Sequence, residues 1–392
     1  MYGLWYRRIF LMIVVLGMTA TTGTAWGLEK APDFTDPTWR IEQIRRTAAF
    51  IYSTQDEHGA MNESGYINTD SNMLYAVMGL IAAYDLTHEK EYLHRSERAM
   101  RWLMSVQNPD GDWYLSYKRE GDRYVATLPK SYRHFKAIRG VDTTMALFIH
   151  ATALLDERSK DESLKRGLRD SARRAYQFLT AHNLDPSDGL YWSSYQLLAK
   201  PHADPNDLSG YRRYRVKYAT DNAETYLGLI AYAKLFQDQA ARQHAFRLKT
   251  QFTKFIDEQA GTYAVMLDRH DRTKMQPSYA RHFATGWSAY LFDDPSMFTR
   301  AQTMLAIQVD EDGSFTEEDG TYALSTLSFL LGESKRTIRF AQVDPAQKFL
   351  TTMLTPSGGV ADDVKSRNTY VNIAGMCLLY LCEEAKRDQL RG

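Results

Sequence analysis

Three segments place a carboxylate where an apolar helical run begins: Asp70 in NTDSNM, Asp142 in GVDTTM and Asp221 in ATDNAE. A fourth, TEEDGT, carries Glu318 and Asp319, and Glu63 lies just upstream of Asp70 in NESGY. Two carboxyl groups facing each other across a cleft are what hydrolysis of a glycosidic bond requires. One protonates the leaving oxygen while the other activates water or attacks the anomeric carbon. Burial and neighbouring charge have to separate their pKa values. Capping is the competing expectation, because Asp is a favoured residue at a helix start.

Two of these acids end nearly identical strings. YRHFKAIRGVD runs from Tyr132 to Asp142 and YRRYRVKYATD from Tyr211 to Asp221, each with its Asp ten residues after its Tyr. SYARHF, residues 278–283, is a partial third copy. A cap needs no string of aromatic and cationic residues ahead of it. The strings therefore predict a lined cleft, with Tyr132, Arg133, Tyr211 and Arg212 as binding candidates. Trp113, Trp192 and Trp287 lie near the turns or an inner-helix start and offer stacking faces for sugar. Ion pairing between adjacent loops is the alternative. The cations Arg133, Lys136, Arg139, Arg212, Arg213, Arg215 and Lys217 point to an anionic glycan or uronate.

The elements that position these residues repeat. Six short Gly turns recur around Gly59, Gly111, Gly189, Gly261, Gly313 and Gly359, each between two helical patterns. Helices before the turns, such as ESLKRGLRDSARRAYQFLTAH, are amphipathic; those after them, such as TTMALFIHATALL, are apolar nearly all round and so must be buried. Twelve helices in six such pairs predict an all-α (α/α)6 toroid of six helical hairpins, six inner helices ringed by six outer ones. An open solenoid is the alternative. Two loops are long. WYLSYKREGDRYVATL, in the 113–140 loop, alternates like a small β-hairpin, and the loop from Trp192 to Ala219 is polar and turn-rich.

The 392 residues carry 48 basic and 48 acidic side chains, which argues against bulk electrostatic binding of nucleic acid. There is no HExxH, CxxC, P-loop or GxSxG motif, and the ten histidines show no ligand spacing, so neither metal nor cofactor is indicated. Cys377 and Cys382 lie five apart on one helix and point to different faces, so they read as core residues rather than a disulfide. Arg7 and Arg8, the apolar run from Ile9 to Met18 and the small residues around Ala25 form a secretory signal pattern. The expected organisation is a signal segment over 1–27 and one toroid domain over 28–392, exported to the periplasm, cell envelope or medium, with membrane contact only through that segment.

The six-hairpin layout resembles the (α/α)6 glycosidase superfamily over essentially the whole mature chain. ATDNAETYLGLIAYA, from Ala219, is similar to the Ala-Thr-Asp signature of family-eight glycoside hydrolases, departing at Asn222 and Ala223. NESGY resembles the segment carrying that family's acid. VDTTMALFIHATALL, from Val141, is similar to the Asp-Thr-x-Met segment of unsaturated glucuronyl hydrolases, without their later Arg-Gly-Gln-Ala-Trp segment. QNPDGDW resembles the Gln-Trp turns of terpene cyclases, but no DxDD acid motif accompanies it. These resemblances imply a glycoside hydrolase with Asp142, Asp221, Glu63 and Asp70 as catalytic candidates and a poly- or oligosaccharide as partner. A polysaccharide lyase or sugar epimerase on the same scaffold, using Tyr132, Tyr211 or His282, is the second expectation. A non-catalytic glycan-binding envelope protein is the third.

Overall fold

A computed structural model of the protein describes residues 33–200, 202–270, 274–275, 281–292, 294–317 and 320–389. The expected signal segment, residues 278–280 of the third string, and Glu318 and Asp319 lie outside them. Among these residues, twelve helices alternate between two layers. The outer layer holds α1 (Pro37–Thr54), α3 (Lys90–Ser105), α5 (Glu162–Phe178), α7 (Gln239–Gln251), α9 (Pro295–Ala306) and α11 (Val343–Met353). The inner layer holds α2 (Ser71–Thr87), α4 (Asp142–Arg158), α6 (Ala219–Phe236), α8 (Arg281–Leu291), α10 (Ala323–Ser334) and α12 (Val371–Gln389). Each inner helix packs on the next, and α12 returns to α2, so the ring is closed rather than an open solenoid.

The two layers follow from side-chain pattern. In α5, Leu164, Leu168, Ala172 and Ala175 form the buried stripe, while α4 is buried without interruption from Asp142 to Ile149. Four of the six outer helices start on capping aspartates. Asp36 accepts from Thr38 N at 2.8 Å, Asp161 from Leu164 N at 2.9 Å, Asp238 from Ala241 N at 2.9 Å and Asp294 from Ser296 N at 3.0 Å.

Ring closure depends on close backbone approach. A Cβ on Gly79 of α2 would lie 2.5 Å from the carbonyl oxygen of Gly375 in α12, and one on Gly228 of α6 would lie 2.5 Å from that of Ala146 in α4. Gly111 has φ of +107°, and a Cβ there would meet the Arg174 carbonyl of the next outer helix at 2.3 Å. In the last turn the left-handed residue is Gly358, φ +87°, not the neighbouring Gly359 on which the sequence pattern was centred.

Connections from inner to outer helices are short, and those from outer to inner are long, so all six long loops share the end where the inner helices begin. There the loops are sewn together. β1 (Ile67–Asn68) pairs with β2 (Ser116–Glu120), which forms the expected hairpin with β3 (Arg123–Ala126). β4 (Phe135–Arg139), β5 (Ser194–Leu198) and β6 (Arg212–Tyr214) form a second antiparallel sheet. The two similar strings supply β4 and β6, which flank the same strand β5. Cys377 and Cys382 are free and fully buried in α12. No helix among the described residues is long and apolar enough to cross a membrane.

Candidate active site

Asp70, Asp142, Asp221 and Glu224 converge at the loop end of the ring. They stand at the heads of α2, α4 and α6, three consecutive inner helices. None is a cap of the kind seen on the outer helices. Asp70 occupies the N-cap position of α2, but its side chain makes no cap hydrogen bond. Asp142 and Asp221 lie inside the first turns of α4 and α6. Asp142 is fully buried, and neither of its oxygens receives a hydrogen bond from a side-chain donor among the described residues. Asp70 and Asp221 are partly exposed.

Glu224 anchors the group. Its carboxylate accepts from the Tyr75 hydroxyl of α2, the Thr143 hydroxyl of α4 and, at 2.8 Å, the Trp287 indole N–H of α8. One buried acid thus ties four inner helices at the same level. The Tyr75 and Trp287 rings meet edge-on at 5.1 Å.

Taking four carboxyl groups out of water raises their proton affinity, and each charge raises its neighbours' further. Burial pushes Asp70 up to about 6. Burial, then the charge of Asp70, pushes Asp221 up to about 7, against hydrogen bonds from Thr220 and the Asp142 carboxyl. Burial and the charge of Asp221 hold Asp142 well above the usual range. Glu224 is raised in the same way despite its bonds from Tyr75 and Trp287. At neutral pH such a group retains protons and can donate them, which separately solvated carboxylates cannot. A further acid at this end, Asp362, is pushed up to about 7 by burial and by Asp363. No group of three or more His, Cys, Asp or Glu among the described residues has metal-holding geometry.

The other predicted residues take different places. Glu63 accepts from Asn72 Nδ2 at 2.7 Å and from the Val371 backbone N–H, so it fastens the start of α12. Trp113 is buried against Phe148 with its indole N–H on the Leu103 carbonyl at 2.8 Å, leaving no open face for a ligand. Trp192 is buried beneath Lys217, whose Nζ sits 4.2 Å from the ring centre. Tyr211 is buried, donates to the Pro205 carbonyl at 2.8 Å and lies under Arg139. Tyr132 packs beside Leu115 and Ile138, while Arg133 and Arg212 are exposed. His282 is enclosed, with Nδ1 2.5 Å from Glu317 and Nε2 3.0 Å from Gln308 Oε1.

Two of the cations read as ligands for an anionic glycan are bound within the protein. Arg139 is buried and reaches Asp112 at 2.6 Å and Asp110 at 2.8 Å, both in the turn around Gly111. Lys217 is buried between Asp185 and Asp188, each at 2.9 Å, in the turn around Gly189. Although burial opposes it, Lys254 and Lys217 hold Asp188 down to about 2. Loop-to-turn ion pairing, the alternative weighed for the strings, thus accounts for these two residues.

Glu224 and Tyr75 were not among the predicted site residues. Glu224 lies three residues after Asp221, the spacing that places two side chains on one helix face, so this part of the signal was in the sequence. Tyr75 carried none, because its partner is 149 residues away.

No protein-family model and no curated protein matches the chain. Solved structures do match. Cellobiose 2-epimerase from Bacillus thermoamylovorans B4167 aligns with a TM-score of 0.63 at 11% identity, over 87% of this chain and 98% of that one. A polysaccharide lyase aligns with a TM-score of 0.59 at 14% identity, over 90% and 98%. The GH76A α-1,6-mannanase of Salegentibacter sp. HEL1_6 aligns with a TM-score of 0.57 at 11% identity, over 89% and 99%. A variant of that mannanase with two adjacent aspartates changed to asparagine is inactive and was solved with α-1,6-mannotriose. At these identities the likeness establishes the fold alone, a closed (α/α)6 toroid.

Proposed function

We propose that the protein is an exported glycoside hydrolase acting on an oligo- or polysaccharide, with Asp221 as the proton donor and Asp70 as the base or nucleophile. The observation that carries this reading is the pair of uncapped carboxyls, on partly exposed residues at the heads of α2 and α6, raised to about 6 and about 7. The group that ionises first serves as base; the one that keeps its proton longer serves as acid. Asp142, buried behind them, holds Asp221 by a hydrogen bond and adds charge when it ionises. Glu224 ties α2, α4, α6 and α8 together. The dependence of the mannanase on aspartates, on the same fold, supports the assignment. Export rests on the basic and apolar pattern of residues 7–18 and is tested by N-terminal sequencing of protein recovered outside the cytoplasm.

The experiment is a product assay on a panel of neutral and uronate polysaccharides. Wild type should release reducing ends, and Asp221→Asn and Asp70→Asn should each lose about 10²- to 10⁴-fold, the usual contribution of a general acid or base. Reducing ends that persist in both variants would remove these residues as catalysts. A second reading, lyase or epimerase chemistry, is favoured by the Tyr75 hydroxyl held on Glu224 within the same acid group. Ultraviolet absorbance from a new double bond would identify a lyase, and an isomeric sugar without new reducing ends an epimerase.

A further inference from the structure

Arg212, Arg213 and Arg215 of the third long loop and Arg269 of the fourth line a cavity of about 500 Å³, with Tyr214 and Val216. The whole chain is electrically balanced, so this concentration of charge is local. Some arginines elsewhere in the toroid are matched with acids, as Arg158 is with Asp85 and Arg169 with Asp156, each at 2.6 Å. The four cavity arginines are not. Arg213 donates to the Tyr195 hydroxyl at 3.0 Å and Arg269 to a ring nitrogen of His270 at 2.9 Å. Arg212 and Arg215 are exposed, and no carboxylate among the described residues pairs with either. Like charges gathered in one concavity repel and are stabilised by an anion between them, and the planar fork of Arg suits an oxyanion.

Two backbone hydrogen bonds connect the cavity wall to the head of α4. Ser193 donates its N–H to the Val216 carbonyl at 2.9 Å, and its own carbonyl accepts from the Asp142 N–H at 2.9 Å. Two such steps, each about one strand spacing of ~4.8 Å, set the cavity wall about 10 Å from the head of α4. Arg215 also lies on the segment that runs directly into α6 and Asp221.

We propose that this cavity binds an oxyanion substituent, a carboxylate or a sulfate, on a sugar residue near the one held at the acids. The inference rests on the acid group being a carbohydrate site. It is tested by calorimetric titration of Asp221→Asn protein, in which turnover does not confuse the readout. The probes are trigalacturonate, a sulfated trisaccharide of the same charge and neutral maltotriose. At least one charged probe should bind about 10-fold or more tighter than maltotriose, and raised salt should weaken it. Whichever charged probe binds better identifies the group as carboxylate or sulfate. Adding Arg212→Gln and Arg215→Gln, both at exposed positions and so compatible with folding, should abolish the difference and leave maltotriose unchanged. Equal binding of charged and neutral probes, or a charged preference that survives the double substitution, overturns the proposal. Failure of the hydrolase reading shows separately, as wild type that releases no reducing ends while charged-sugar binding persists.

Discussion

Replacing Asp221 by Asn should stabilise the protein above neutral pH and lower its activity about 10²- to 10⁴-fold. The carboxyl rises from 3.8 to about 7 on folding, chiefly through burial and then through the charge of Asp70. A raised folded-state value means the native state binds the proton more tightly than the unfolded chain. Its stabilising contribution is complete below the unfolded value near 3.8 and is lost as pH climbs through about 7. At pH 8 the ionised group costs at most about 4 kcal/mol, from about 1.36 kcal/mol per unit. Partial exposure and proton sharing with Asp142 reduce this to roughly 2 kcal/mol. Asn keeps an acceptor for the Thr220 hydroxyl, which reaches Asp221 at 3.1 Å, and carries no charge. For a domain of this size, 2 kcal/mol corresponds to a rise in Tm of about 3 °C. Melting curves of both proteins should therefore differ by about 3 °C at pH 8 and by less than about 1 °C at pH 4. A variant that melts at or below wild type at pH 8 would refute the burial of a strained acid here, and with it the acid role of Asp221.

Other consequences are independent of that substitution. With Asp70 near 6 and Asp221 near 7, kcat/KM should peak between about pH 6 and 7, falling below as Asp70 gains its proton and above as Asp221 loses its own. A rate that stays level from pH 5 to 9 would exclude this pair. Gly375→Ala should cost about 1–3 kcal/mol in denaturant unfolding, because the new methyl meets the Ala76 nitrogen at 2.5 Å where the ring closes. Arg139→Ala should cost about 3–5 kcal/mol by leaving buried Asp112 unpaired, and adding Asp112→Asn should recover most of the loss.

The local features of the site were legible because they depend on neighbours in sequence. Helical periodicity separates α4, apolar all round, from α5, apolar on one stripe, without reference to the rest of the chain. The Gly turns and the acids at the heads of α2, α4 and α6 follow from the same repeat. Whether those acids cap was not legible. Asp36 and Asp70 both stand at helix starts, yet Asp36 bonds Thr38 N and Asp70 makes no cap bond. The direction of a side chain at a helix start depends on the loop that delivers it.

The similar strings show the division most clearly. Their sequence determined that a basic, aromatic segment leads into an inner helix twice, and hence that both lie on one rim of a toroid. Only the tertiary structure decided what each cation does. Arg139 and Lys217 fold back onto acidic turns, because a buried charge must find a partner. Arg212 and Arg215 face water around a cavity. Likewise, Glu224 meets Trp287 across 63 residues and Tyr75 across 149, contacts that no local pattern encodes. Closure of the ring brings these groups within hydrogen-bonding distance, and from that closure the raised proton affinity of the acids follows.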